Sequence, residues 1–193
     1  MPTLDCPVRH RILDAPVEYG PLADFSCGKG GEREEREVNR TIAQLFNGKA
    51  PVQMLVVVLE KTEGADAFGR APLIGVSGVY SMQAAGLPGL DEGGAFVAFV
   101  PAIGIDEKYQ GKRLEDGETR CGSALLISTM VVAKAMMGGG PTPAALAKVD
   151  PENDRSQNLF KRHGFEKVGR EAEFDMMLRP PDLDPDFRRE PNG

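Results

Sequence analysis

Three apolar runs rich in β-branched residues follow one another along this chain with no helical segment between them. They are residues 52–60 (VQMLVVVLE), 73–82 (LIGVSGVYSM) and 95–105 (AFVAFVPAIGI). Each is too short and too β-branched to be a helix, so each reads as a buried strand. The segments separating them, 62–72 and 86–94, are punctuated by Gly and Pro and read as loops. Parallel neighbours need a crossover, usually a helix. Three strands in direct succession therefore exclude an all-parallel doubly wound sheet and point to a mixed α/β sheet with helices on its faces. Pro101 and Gly104 interrupt the third run, which predicts a bulge or a splayed edge there.

The remaining elements complete the order. Residues 8–14 alternate as a first strand. Residues 32–48 predict a helix, with the opposite-charge pair Glu32/Arg36 in its first turns. Val38, Ile42, Leu45 and Phe46 follow at helical spacing, and Gly48 ends it. Residues 121–137 form a strongly apolar helix stopped by Gly138-Gly139-Gly140-Pro141, and 144–149 a strand. Residues 154–163 predict a short helix capped by Gly164, and 165–178 one or two last strands around Gly169. The order is β-α-β-β-β-α-β-α-β. One domain over 1–179 is expected, with a proline-rich tail over 180–193.

Composition narrows the function classes. No wholly apolar run exceeds six residues, so no transmembrane helix is expected, and the first twenty residues lack the pattern of a signal peptide. A net charge of −6 is a poor match for nucleic acid or an anionic membrane. Three scattered cysteines, Cys6, Cys27 and Cys121, and two histidines, His10 and His163, show no metal-ligand spacing. No metal is expected, and a reducing, cytoplasmic setting is the simplest reading. A homodimer is left open.

The stretch Ile103-Gly104-Ile105-Asp106-Glu107-Lys108-Tyr109-Gln110-Gly111-Lys112 leads, after a gap, to Gly122-Ser123-Ala124-Leu125-Leu126. A strand feeds a glycine turn that feeds the start of an apolar helix, an arrangement that offers free N–H groups to phosphate. An ordinary strand-to-helix connection has the same pattern, and neither GxxxxGK[ST] nor GxGxxG is present. A second segment, Val149-Asp150-Pro151-Glu152-Asn153-Asp154-Arg155-Ser156, runs into Leu159-Phe160-Lys161-Arg162-His163-Gly164-Phe165. Together the two resemble the GNAT superfamily of acyl-CoA-dependent N-acyltransferases, whose members carry Y-Q-G-K-G-x-G-x-x-L-L at a helix start and N-x-x-S/A-x-x-L-Y-x-K-x-G-F later. The resemblance spans roughly residues 8–178.

The resemblance implies acetyl-CoA as acyl donor and assigns roles to matching positions. Backbone groups around Ile103 and Ile105 would run beside the pantetheine. Backbone amides from Gln110, Gly111 and Lys112 through Gly122 and Ser123 would hold the pyrophosphate. Asn153, Ser156 and Phe160 would line the pantetheine side, with Lys161 or Arg162 near the adenosine phosphates or simply solvated. Two departures stand out. Residues 113–121 interrupt the glycine motif, an insertion of about seven residues relative to the family spacing. With five charges and one strong apolar residue, Leu114, this insertion is expected to be a mobile loop. The second departure is Phe160, which stands where the family often has a proton-donating tyrosine.

Tyr80 and Ser156 are the remaining candidates for catalysis, although a buried structural tyrosine is the default reading of Tyr80. Cys121 and His163 read as a core residue and a helix end. No carboxylate lies on the 95–105 strand; Asp91, Glu92, Asp106 and Glu107 flank it. The leading function is an N-acetyltransferase acting on a small-molecule or peptide amine. Phe25-Ser26-Cys27-Gly28 and Gly78-Val79-Tyr80-Ser81-Met82 are similar to toxin acetyltransferases that modify the α-amine of aminoacyl-tRNA, and a non-catalytic acyl-CoA binder is the third reading.

Overall fold

The structure is a computed structural model. It describes residues 2–13, 25–28, 39–40, 43–44, 47, 49, 54–64, 71–87, 90 and 94–181. Of the helix expected over 32–48, Asn39, Arg40, Ala43 and Gln44 are described, as helix; the rest lies outside the described residues, as do Asp91, Glu92 and nearly all of the 180–193 tail. The described strands are β1 (Val8–Leu13), β2 (Leu55–Lys61), β3 (Leu73–Ala84), β4 (Ala95–Val100), β5 (Ile103–Ile105), β6 (Ala145–Val149), β7 (Glu166–Glu171) and β8 (Phe174–Arg179). The helices are α1 (Cys121–Met136) and α2 (Asp154–Arg162), with a single 3-10 turn at Glu107–Tyr109. The chain forms two compact units: Met1–Gly78 with Ala102–Thr129, and Val79–Pro101 with Met130–Gly193.

In the first unit the strand order is β1-β2-β3, with β5 also paired to β3. β1 and β2 run antiparallel, Val8 opposite Lys61 and Leu13 opposite Val56. One face packs Leu13, Cys27, Val56, Val58 and Val76 into a core. The carboxylate of Glu60 is fully buried and paired with Arg9 at 2.5 Å. Burial at that depth is tolerable because the ion pair comes with it. Gly75 explains how β5 comes so close to β3. A Cβ there would crowd the side-chain ends Ile105 Cδ1 at 2.6 Å and Leu125 Cδ2 at 2.9 Å and the backbone Gly104 O at 3.0 Å, so glycine suits the close approach of β5 and Leu125 to the strand.

In the second unit β3 pairs antiparallel with β4, β4 parallel with β6, β6 antiparallel with β8, and β8 antiparallel with β7. Val97, Phe99, Leu146, Met176 and Leu178 form its core. The run 95–105 breaks at Pro101, as its sequence predicts, into β4 and β5. The end of the chain forms two strands, as expected. Gly169 is not the turn but a bulge, with the register shifting between Lys167 and Gly169. The turn comes at Ala172, whose φ of 53° is left-handed, so 166–179 is a two-stranded hairpin.

Candidate functional site

In the first unit, β5, the 3-10 turn, the insertion and the start of α1 follow one another along the chain. Gly78 N–H donates to Ala102 O at 3.1 Å and Asp106 N–H donates to Ile74 O at 2.9 Å. Antiparallel partners alternate between bonded and non-bonded pairs. Ala102, Gly104 and Asp106 therefore turn their backbone groups toward β3, while Ile103 and Ile105 turn theirs to the other edge. The Gln110 amide donates to Ile105 O at 3.1 Å and to Cys27 O. This side chain is thus spent on holding the turn.

Asp106 is 2% exposed, and its carboxylate accepts from Lys108 N–H at 3.0 Å and Ser26 N–H at 3.3 Å. It caps the turn and is not available as a base. Gly111 follows with φ +74°, and a Cβ there would meet nothing within 4 Å, so its glycine serves backbone conformation alone. The Lys112 ammonium sits 5.3 Å from the centre of the Tyr109 ring, and that of Lys61 lies 5.6 Å from it. Lys61 also pairs with Asp5 at 3.1 Å.

The insertion is ordered by its own hydrogen bonds, contrary to the expectation of a loose loop. The Asp116 carboxylate accepts from the N–H groups of Glu118 and Thr119, both at 2.8 Å, and from the Thr119 hydroxyl at 2.7 Å. Leu114 N–H donates to Thr119 O at 2.7 Å, and Arg113 stands opposite Arg120 in an antiparallel bridge. The N-terminal segment straps it on the other side, with Leu4 N–H donating to Arg113 O at 2.8 Å and Arg113 N–H to Pro2 O at 3.1 Å. These contacts join residues more than a hundred positions apart, so composition could not reveal them.

The insertion delivers the chain to α1. Cys121 N–H donates to Lys112 O at 3.1 Å and Ala124 N–H to Arg120 O at 2.9 Å. Among the described residues, the N–H groups of Gly122 and Ser123 have no partner. Ser123 is 3% exposed. The first turn holds no acidic residue. Arg120, immediately before the helix, keeps its Nε shut off from solvent with no hydrogen-bond partner. Sequence reading passed over this arginine; its position at the end of the insertion was the available signal. Burial pushes the Cys121 thiol up to about 11, so it remains a neutral core group.

The second unit carries the other predicted residues. Asn153 caps α2, its side chain accepting Ser156 N–H at 2.9 Å. Phe160 is 3% exposed and packs edge-on against Phe165, centroids 5.0 Å apart. Phe165 N–H donates to Phe160 O and Gly164 N–H to Lys161 O, both at 3.1 Å, with Gly164 at φ +79°. This is a left-handed helix cap with its usual hydrophobic contact, and it gives Phe160 a folding role. His163 ends the helix, as expected. Lys161 is exposed and Arg162 half-buried. Tyr80 is half-buried and edge-on to Phe99 at 5.3 Å, with its pKa raised by burial.

No family model matches the sequence, and no curated protein matches it. Solved structures do. AtaTR bound with acetyl-CoA superimposes with a TM-score of 0.64 at 15% identity, covering 94% of this chain and 97% of that one. AtaT complexed with acetyl-methionyl-tRNAfMet gives 0.59 at 16% identity, over 90% and 95% of the two chains. The PaiA N-acetyltransferase from Thermoplasma acidophilum, in complex with coenzyme A, gives 0.56 at 14% identity, over 90% and 99%. This chain has the fold of the GNAT N-acetyltransferases.

Proposed function

We propose that the protein is an acetyl-CoA-dependent N-acetyltransferase acting on a primary amine. The observation that carries this reading is the open start of α1, where among the described residues the Gly122 and Ser123 N–H groups have no partner; Arg120, just before them in the chain, keeps its Nε without one as well. An uncapped helix start is a place for an anion. The AtaTR and PaiA structures of the same fold hold acetyl-CoA and coenzyme A, respectively. The residues present therefore suit a pyrophosphate. Gly122 and Ser123 would hold it, and the edge of β5 turned away from β3 would run along the pantetheine at Ile103, with Ile105 O held by the Gln110 amide. When bound, acetyl-CoA supplies the activated acyl thioester.

The acceptor follows from which groups are free to move protons. A lysine-type amine near pKa 10.4 costs roughly 4–5 kcal/mol to deprotonate at neutral pH, whereas an α-amine near 8 costs about 1 kcal/mol. No carboxylate lies on β4 or β5, and Asp106 is committed to the turn. An acceptor with a low-pKa amine, an α-amine above all, suits a site with so little base to offer. For the departing thiolate, Phe160 has no proton to give. Tyr80 has one, since burial keeps its phenol protonated. The Ser156 hydroxyl is the other candidate.

A second reading, acetylation of the α-amine on aminoacyl-tRNA, is favoured by one observation, the likeness to AtaT complexed with acetyl-methionyl-tRNAfMet. The net charge of −6 weighs against it, because tRNA binding relies on neutralising phosphates. The deciding experiment is a screen for free thiol released from acetyl-CoA with small amines, α-amino peptides and aminoacyl-tRNA as acceptors. Release with a free or peptide amine supports the main reading, and release with aminoacyl-tRNA alone supports the second. Coenzyme binding without release from any acceptor would make the protein a non-catalytic binder.

A further inference from the structure

The N-terminal segment makes contacts that the proposed site does not use. Over residues 3–7 burial alternates: Leu4 and Cys6 are buried, while Thr3, Asp5 and Pro7 are exposed. A segment with that period lies as a strand against an edge. Here the edge is the base of the insertion. Leu4 N–H donates to Arg113 O at 2.8 Å and Arg113 N–H to Pro2 O at 3.1 Å, with Thr3 opposite Arg113 in a parallel bridge. Arg113 also stands opposite Arg120 in an antiparallel bridge, so three short segments lie side by side. Two strands alone are marginal in water, and like charges directly opposite weaken this pair further. Residues 2–4 supply the third strand. The segment then runs to the end of β2. There Asp5 pairs with Lys61 at 3.1 Å, and Pro7 O accepts from the Thr62 N–H and hydroxyl, both at 3.1 Å.

We propose that residues 2–7 are a strap whose closure sets the start of α1, so that strap closure and coenzyme binding favour one another. This rests on the acetyl-CoA reading above and goes beyond it, because nothing in that reading involves the N-terminal segment. The path is short. The strap takes both backbone groups of Arg113, and the next residue back, Lys112, accepts the Cys121 N–H that opens α1. The strap buries only two apolar side chains, so it opens locally far more readily than the core unfolds. With the strap open, the insertion loses its third strand and the turn into α1 is no longer held in one conformation. A ligand seated on that turn must then order it, which lowers its affinity. By linkage, the bound ligand favours the closed strap by the same factor.

The test joins two measurements. Residue-resolved amide exchange on the full chain reads the strap at its two bonds, the Leu4 and Arg113 N–H groups. Saturating acetyl-CoA is expected to slow both about fivefold. Calorimetry with acetyl-CoA then compares the wild type with a variant lacking residues 2–4 and with Thr3→Ala. The deletion should raise Kd about fivefold, and Thr3→Ala should leave it unchanged, because the ladder runs through the backbone. Acetyl-CoA that binds without slowing exchange at Leu4 and Arg113 would overturn the proposal and leave the acetyl-CoA reading intact. So would wild-type affinity in the deletion variant, or a Thr3→Ala loss as large as that of the deletion. A wild type that binds no acetyl-CoA would overturn the acetyl-CoA reading itself, and the proposal with it. If the deletion variant does not fold, Leu4→Pro, which removes the N–H donated to Arg113, takes its place with the same expected loss. Wild-type affinity there would overturn the proposal.

Discussion

The two described helices start in opposite ways. α2 opens on Asn153, whose side chain takes the Ser156 N–H, and Asp154 adds a negative charge to the first turn. α1 opens on Arg120, with no acid in the first turn and, among the described residues, no partner for the Gly122 and Ser123 N–H groups. A cap is typically worth about 1 kcal/mol, so leaving a helix start bare has a cost. α2 is nine residues long and carries a cap at each end. α1 is sixteen residues, with Leu125, Leu126 and Ala133 fully or almost fully buried, and its packing can offset an open end. The closed start belongs to folding. On the proposed function, the open one is left for the coenzyme.

The sharpest way to probe the closed helix is at its far end. Phe160→Ala removes the contact with Phe165 and should lower unfolding free energy by about 4 kcal/mol in chemical denaturation. A loss under about 1 kcal/mol would mean that the aromatic pair does not hold α2. The open helix is probed by Gly122→Asp, which puts a carboxylate where the anion is expected. Acetyl-CoA affinity should fall at least 100-fold, roughly 2.7 kcal/mol, while the melting temperature holds because an acid in a first turn is favourable. Asn153→Ala should cost about 1 kcal/mol of stability, and unchanged stability would show that the Ser156 contact is not a working cap.

The smallest effect concerns the loop that leads to the open start. Burial tends to raise the Asp116 pKa, but hydrogen bonds from Thr119 and Glu118 outweigh it and hold the carboxyl below 3.8. A carboxyl whose folded pKa is depressed stabilises the fold above its unfolded value and loses that contribution as pH falls through the folded one. Amide exchange at Glu118 and Thr119 should therefore quicken, relative to the rest of the unit, once the pH drops below 3.8. Asp116→Asn should remove that dependence.

Local signals explain how much of this was legible. β2, β3 and the β4/β5 break at Pro101 follow from β-branched runs and one proline. α2 follows from Asn153 in front and Gly164 behind. The turn at Ala172 was not legible, because an alanine at positive φ carries no turn signature and nearby Gly169 does. The ordered insertion was missed for a different reason. Its strap is the 2–4 segment at the other end of the chain, and its internal closure depends on one aspartate among several acids. The site divided the same way. The glycine motif pointed to the start of α1, but that the start is uncapped among the described residues, and that Arg120 Nε has no partner there, depend on what surrounds them in space.

The central claim is that this open start is an anion site for acetyl-CoA, and titration of the wild-type chain with acetyl-CoA tests it most directly. Saturable heat should be accompanied by a rise in stability of roughly 2.7 kcal/mol at a hundredfold excess over Kd. The heat should weaken with added salt, as binding of a charged coenzyme at a helix start requires. No heat and no thermal shift at millimolar acetyl-CoA would contradict the account.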